Sequence, residues 1–160
     1  MNNEEKENQE IYDEYIAECT NISFIRIGNT MVFSDFIELD QNINIKIKSY
    51  DEIYFDYLAK LDNKIDRLFY KQEQIQEKIN NLTLENKITS DNMKLIEAKL
   101  SNKNILSIIK HYSSRESLVA QLNEKNEQYN NTFNIITKLH ETILEIDEEI
   151  KNTKTFKGFE

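Results

Sequence analysis

Between residues 54 and 100 the apolar side chains return in alternating steps of four and three, and no other feature restricts the possible folds so much. The row runs Tyr54, Leu58, Leu61, Ile65, Leu68, Gln72, Ile75, Ile79, Leu82, Asn86, Thr89, Met93, Ile96 and Leu100, so only Gln72, Asn86 and Thr89 interrupt it. An ordinary surface helix drifts to a period of about 3.6, whereas about seven heptads held in one phase predict a long coiled-coil helix. With no Pro and only two Gly in 160 residues, little in the chain can break such a helix. Ser49 and Glu52 have capping-box spacing, which places its start at residue 49 and the helix over 49–100.

After Leu100 the phase fails at Ser101-Asn102-Lys103-Asn104, and Ile105, Ile108, Ile109 and Tyr112 make a short apolar piece, so residues 101–114 read as a turn and a short helix. Ser113 and Glu116 repeat the capping-box spacing ahead of a second coiled-coil helix over 115–152. Its row is Val119, Leu122, Asn126, Tyr129, Phe133 and Ile136, then a three-residue step to Leu139, followed by Ile143, Ile146 and Ile150. A step of that kind is a stammer, which overwinds a supercoil locally. Residues 153–160 lose the pattern and read as a flexible tail. The two helices can fold back on each other through 101–114, or each can pair with another chain.

The first 48 residues follow other rules. Ile11, Tyr12, Tyr15, Ile16 and Cys19 have helical spacing, so residues 1–20 read as a short helix or an acidic tail. Ile22, Phe24, Ile25 and Ile27 form a β-branched and aromatic run that stops at Gly28-Asn29, and Met31, Val32 and Phe33 follow at once. Ile43, Ile45 and Ile47 alternate with Asn44, Lys46 and Lys48. These runs predict a small β-hairpin or three-stranded meander over 21–48. The expected fold class is therefore mainly α, with long coiled-coil helices and a small N-terminal β element.

Composition argues against several kinds of chemistry. The net charge is -9 and the lysines lie scattered among glutamates, which disfavours direct nucleic-acid binding, because counterion release needs clustered Lys and Arg. The start Met1-Asn2-Asn3-Glu4-Glu5 has the wrong charge for a signal peptide, and no apolar run is long enough for a membrane span, so a cytoplasmic or nuclear location is expected. The single cysteine, Cys19, fits a reducing compartment. His111 and His140 are too far apart in sequence to form a local ligand pair, and the acidic run at 145–149 reads as a solvated helix face. No catalytic, metal-ligating or cofactor-binding residue is expected, and no enzyme activity.

What remains is protein binding. The expected interaction seam is Leu58, Leu61, Ile65, Leu68, Ile75, Ile79, Leu82, Asn86, Met93, Ile96 and Leu100, continued by Leu122, Tyr129, Phe133, Ile136, Leu139, Ile143, Ile146 and Ile150. Asn86 occupies an a position, where a buried amide sets register and pairing, although a chain so rich in Asn will also place one there by chance. These features suit a structural or adaptor subunit of a multiprotein assembly, pairing with other coiled-coil proteins or with itself, and most simply a hetero-oligomer. Tethering, cytoskeletal and chromosome-segregation complexes are the expected settings.

A second reading comes from the order of strand, Ile27-Gly28-Asn29 turn, strand and coiled coil, with Leu61-Asp62-Asn63-Lys64-Ile65 on the helix. That order resembles the C-terminal half of a prefoldin subunit. The resemblance implies a co-chaperone that assembles through its hairpins and holds clients at coiled-coil tips. It covers about a third of the chain; the long N-terminal helix of such a subunit is missing, and the helices beyond Leu100 have no counterpart in it.

Overall fold

The computed structural model describes residues 3–27, 49–101 and 112–158, with the backbone alone described at 21–27 and 112–114. All of these residues except Ser49, Lys157 and Gly158 lie in three helices: α1 (Asn3–Ile27), α2 (Tyr50–Ser101) and α3 (Tyr112–Phe156). They divide into two compact units, one comprising Met1–Phe69 and Asp147–Glu160, the other Tyr70–Ile146.

The chain is mainly α, but the β-hairpin or meander expected over 21–48 is not seen, and the described residues include no strand. Its first arm, with Ile22, Phe24, Ile25 and Ile27, is the closing stretch of α1. The reason is cooperativity. Once the preceding residues have nucleated a helix, each further residue adds a hydrogen bond at little entropic cost, and β-branched side chains oppose this by only about half a kcal/mol each. A lone strand has no comparable gain without a sheet to join. The Gly28-Asn29 turn, Met31 to Phe33 and Ile43 to Ile47 lie outside the described residues. The strand order that carries the resemblance to a prefoldin subunit loses its first member.

Helix α2 begins at the expected capping box. The Ser49 hydroxyl accepts from the Glu52 amide at 3.2 Å, and the Glu52 carboxylate accepts from the Ser49 amide at 2.8 Å. The Ile53 amide then donates to the Ser49 carbonyl at 3.0 Å, starting the helical ladder, and Asp51 and Glu52 lie at the positive end of the helix dipole. Helix α3 starts at Tyr112, one residue before Ser113. It continues through residues expected to form a flexible tail and ends at Phe156, where Gly158 adopts a φ of +78° and its amide donates to the Thr155 carbonyl at 3.0 Å. A left-handed residue just past the last turn satisfies helix carbonyls that would otherwise have no donor.

In the first unit, Ile53, Tyr57, Leu61, Ile65 and Leu68 of α2 and Ile150 of α3 are buried. Helix α1 covers this core, so α2 buries a broader face here than a two-stranded seam needs. In the second unit the fully buried apolar residues are Ile79, Ile96 and Ile146. Two helices shelter only one stripe of each other, which is why most of that seam is half-buried.

The Ser49 cap lends itself to a simple test. Ser49→Ala should weaken α2 by about 1 kcal/mol, read as a lower urea midpoint, with faster amide exchange confined to the first turn of α2.

Candidate functional site

The densest constellation lies in the first unit, where one lysine is buried among three helices. Lys64 on α2 is 2% exposed. An ammonium has three N–H donors, and each finds an acceptor: Glu149 Oε1 of α3 at 2.6 Å, the Glu4 carbonyl of α1 at 2.6 Å and Asn8 Oδ1 of α1 at 2.9 Å. Glu7 adds a carboxylate at 3.7 Å. The acceptors are themselves tied together. Asn8 Nδ2 donates to Glu149 Oε1 at 3.2 Å, and the Thr153 hydroxyl lies 3.2 Å from Asn8 Oδ1 and 2.9 Å from the Glu149 carbonyl. Asn8, Glu149 and Thr153 are all buried. Removing a cation and a carboxylate from water costs several kcal/mol per ion, so such a pair is tolerable only when saturated with hydrogen bonds, as this one is.

Next to this knot lies a tyrosine layer. Tyr15 of α1 stacks on Tyr57 of α2 with centroids 4.5 Å apart, while Tyr12 meets Tyr57 and Phe156 edge-on at 6.3 and 6.1 Å. The Tyr57 hydroxyl donates to the Phe156 carbonyl at 2.5 Å. Burial pushes the Tyr57 pKa above its ordinary value near 10, and the neighbouring hydroxyls of Tyr12, Tyr15 and Tyr54 push it the same way. Tyr15 is raised too, first by burial and then by Cys19. The remaining crevice, lined by Ile11, Tyr15, Glu18, Ile53, Asp56, Tyr57 and Lys60, has a volume of about 10 Å³, room for about one water.

The expected seam residues divide between the two units. In the first unit Leu61, Ile65, Leu68 and Ile150 are buried and Leu58 is half-buried, while Tyr54, where the row was expected to begin, is 43% exposed. In the second unit Ile79, Asn86, Ile96 and Ile146 are buried, and Ile75, Leu82, Met93, Leu100, Leu122, Tyr129, Ile136, Leu139 and Ile143 are half-buried. Phe133 lies outside the row at 56% exposed, as do Val119 at 41% and the exposed Asn126. The sheltered positions beside them are Leu118, Lys125 and Thr132. With these, the second-unit row on α3 keeps unbroken four-three steps from Leu118 to Ile146, and no stammer is needed. The apolar bulk of Val119 and Phe133 points to a register one residue too far along. The helix keeps its phase and instead tolerates Lys125 and Thr132, whose stems can line the seam.

Asn86 sits on the inner face at 7% exposed, and its Nδ2 donates to the Tyr129 carbonyl at 3.2 Å. Its Oδ1 is buried with no hydrogen-bond partner among the described residues. An amide left half-satisfied in this way costs about 1–3 kcal/mol. Cys19 is a half-buried free thiol beside Tyr15, His140 is exposed, and His111 lies outside the described residues. Among the described residues no group of three His, Cys, Asp or Glu is placed to hold a metal ion, and no helix is long and apolar enough to cross a membrane.

Sequence reasoning missed Ile53, Tyr57, Lys64, Asn8 and Thr153, and the acidic run expected on a solvated face has its Glu149 buried at 4% exposed. The first two were readable in principle, since Ile53, Tyr57 and Leu61 form an i, i+4, i+8 row beside the heptad. Lys64 was not, because a lysine in a helical pattern is by default a solvated residue. Comparison with protein families, with curated proteins and with solved structures finds no match for this chain.

Two expected outcomes follow from this geometry. Lys64→Met strands the Glu149 carboxylate and should lower the stability of the first unit by about 3 kcal/mol in urea denaturation, the low end for a broken buried pair, because the carboxylate regains water where α1 gives way. Adding Glu149→Leu and Asn8→Leu should restore most of that loss; if the triple variant is less stable than the single one, the knot stabilises the unit beyond its specificity. The second outcome concerns alkali. Only the neutral Tyr57 hydroxyl can donate to Phe156, and its folded pKa lies above the unfolded one. Its contribution is therefore complete below about pH 10 and is lost as pH rises through the raised value. Tyr57→Phe should flatten the fall of melting temperature above that pH.

Proposed function

We propose that the chain is a non-catalytic structural or adaptor subunit of a multiprotein assembly and acts through helix-to-helix contacts with other proteins. The observation that carries this reading is the outer surface of the second unit. Its inner row is used within the unit itself, yet Leu84, Ile88 and Leu95 on α2 are 60%, 54% and 62% exposed, and Phe133 and Leu144 on α3 are 56% and 67% exposed. Leu84, Ile88 and Leu95 are four and then seven residues apart and so share one side of α2. A helix pair in isolation buries little apolar area, and large side chains left along an outer face favour a further helix laid across them. A heteromeric coiled-coil partner fits the mixed charge around that face, and tethering, cytoskeletal or chromosome-segregation complexes are the settings in which such subunits work.

Substitution of the outer row separates partner binding from folding. Leu84→Ser, Ile88→Ser and Leu95→Ser together should leave the helical circular-dichroism spectrum nearly unchanged, since exposed substitutions stay within about half a kcal/mol each, while reducing the mass of the natively purified complex to that of the single chain. Ile79→Asp with Leu82→Asp should instead unfold the second unit, because it places charge on the sheltered face, and changes at the exposed Glu77 and Asn81 should do neither. A native protein that purifies as a lone chain, or a complex indifferent to the outer row, would contradict the proposal.

A further inference from the structure

Helix α1 meets α2 through matched charge and polarity as well as through the tyrosine layer. Of its described side chains only Asn8 is fully buried; Ile11, Tyr15 and Cys19 are half-buried, and Tyr12 and Ile16 are 40% and 42% exposed. What α1 does make is a ladder to one stripe of α2. Glu14 meets Lys60 at 2.7 Å, Glu7 meets Arg67 at 2.6 Å, and Asn8 and the Glu4 carbonyl meet Lys64. Lys60, Lys64 and Arg67 stand at i, i+4 and i+7, on one face of the helix. In a chain of net charge -9, three cations in one row, each matched by an acidic helix, are a charge-complementary groove.

The bonding of α2 to α3 is the second observation. Without α1, Lys64 still has Glu149 at 2.6 Å, the Thr153 hydroxyl still has the Glu149 carbonyl at 2.9 Å, and the Tyr57 hydroxyl still has the Phe156 carbonyl. Lys60 and Arg67, already well exposed, return fully to water. Lys64 loses the Glu4 carbonyl and Asn8 Oδ1, and Tyr57 loses its stacking on Tyr15, but the ion pair to Glu149 stays intact and water can reach the two vacated donors once α1 has left.

We propose that α1 is a built-in stand-in for a ligand: the groove marked by Lys60, Lys64 and Arg67 on α2 and by Glu149 on α3 receives an acidic amphipathic helix of another protein, which displaces α1. The chemistry of that helix is set by α1 itself. It carries two carboxylates seven residues apart, matching Glu7 and Glu14, an amide beside the first, and an aromatic ring to stack on Tyr57. The incoming helix competes with a tethered one at an effective concentration on the order of 1 mM, so displacement is the regulated step. This surface shares no residue with the outer row of the second unit, and either proposal can fail alone.

The test uses the full chain carrying Glu7→Lys and Glu14→Lys, with a fluorescein-labelled peptide of residues 3–27 as the probe. The wild-type peptide should bind the charge-reversed chain at least about 100-fold more tightly than it binds the wild-type chain, whose groove is occupied, and a peptide with the same two reversals should bind neither. Hydrogen exchange on the wild-type chain gives a measurement independent of any variant. Raising salt from about 0.1 to 1 M should speed exchange about tenfold in α1 and leave residues 53–68 of α2 unchanged, since screening acts on the exposed pairs. Exchange that rises together in α1 and residues 53–68, or a peptide that binds neither chain, overturns the proposal. A wild-type dimer that forms with concentration and is lost in the charge-reversed chain makes a second copy the occupant and overturns the assignment to another protein.

Discussion

The first unit depends on the saturation of a single ammonium group. Lys64 has three N–H donors and no alternative to using them once it is buried, so α1 and α3 must each supply an acceptor at one level of α2. That requirement places Asn8 and Glu149 beside each other, and Thr153 and the Glu4 carbonyl complete the set. The apolar residues around the knot, Leu61, Ile65, Leu68 and Ile150, supply the driving force for burial, but they are interchangeable in a way that Lys64 is not. Hydrophobic contact determines that the helices associate, and the lysine determines at which level.

The second unit works under the opposite constraint. Its described residues form two helices, so the burial these give each other is one stripe, and Ile79, Ile96 and Ile146 are the buried apolar residues among them. Stability in such a pair scales with length more than with depth of core, which explains why the seam continues over many heptads at half-burial. The same geometry leaves Leu84, Ile88, Leu95 and Leu144 outside. Singly, such residues are unremarkable on a surface, but three on one side of one helix are a surface that a partner helix can use.

Helices of this length were legible because the heptad is a long-range, redundant signal: losing Gln72, Asn86 and Thr89 from it does not obscure the phase. The cap at Ser49 and Glu52 was legible because two side chains at fixed spacing do one local job. The run Ile22, Phe24, Ile25 and Ile27 misled, since β-branched residues report a preference worth tenths of a kcal/mol while continuation of α1 is set by cooperativity. Phe133 misled for a different reason. Hydrophobic bulk favours Phe133 over its neighbour, whereas helix phase places Thr132 on the sheltered face. The Lys64 knot was not readable, because the hydrogen bonds that join its helices link residues 56 to 145 apart and each residue alone looks like an ordinary polar helix residue.

The buried polar groups therefore answer a question that the apolar rows leave open. In a heptad row rich in Ile and Leu, sliding one helix past another by seven residues matches apolar side chains about as well as before, so the seam alone does not fix the register. In the first unit, moving α3 by one heptad to bring Phe156 to the level of Glu149 would set an aromatic ring against the Lys64 ammonium and leave the cation without its carboxylate, a loss of several kcal/mol. In the second unit the discrimination is weaker, because Asn86 donates to a backbone carbonyl, and every register presents one. Its unpaired Oδ1 costs stability without naming a unique partner. Register is accordingly specified more sharply within the three-helix unit than within the helix pair.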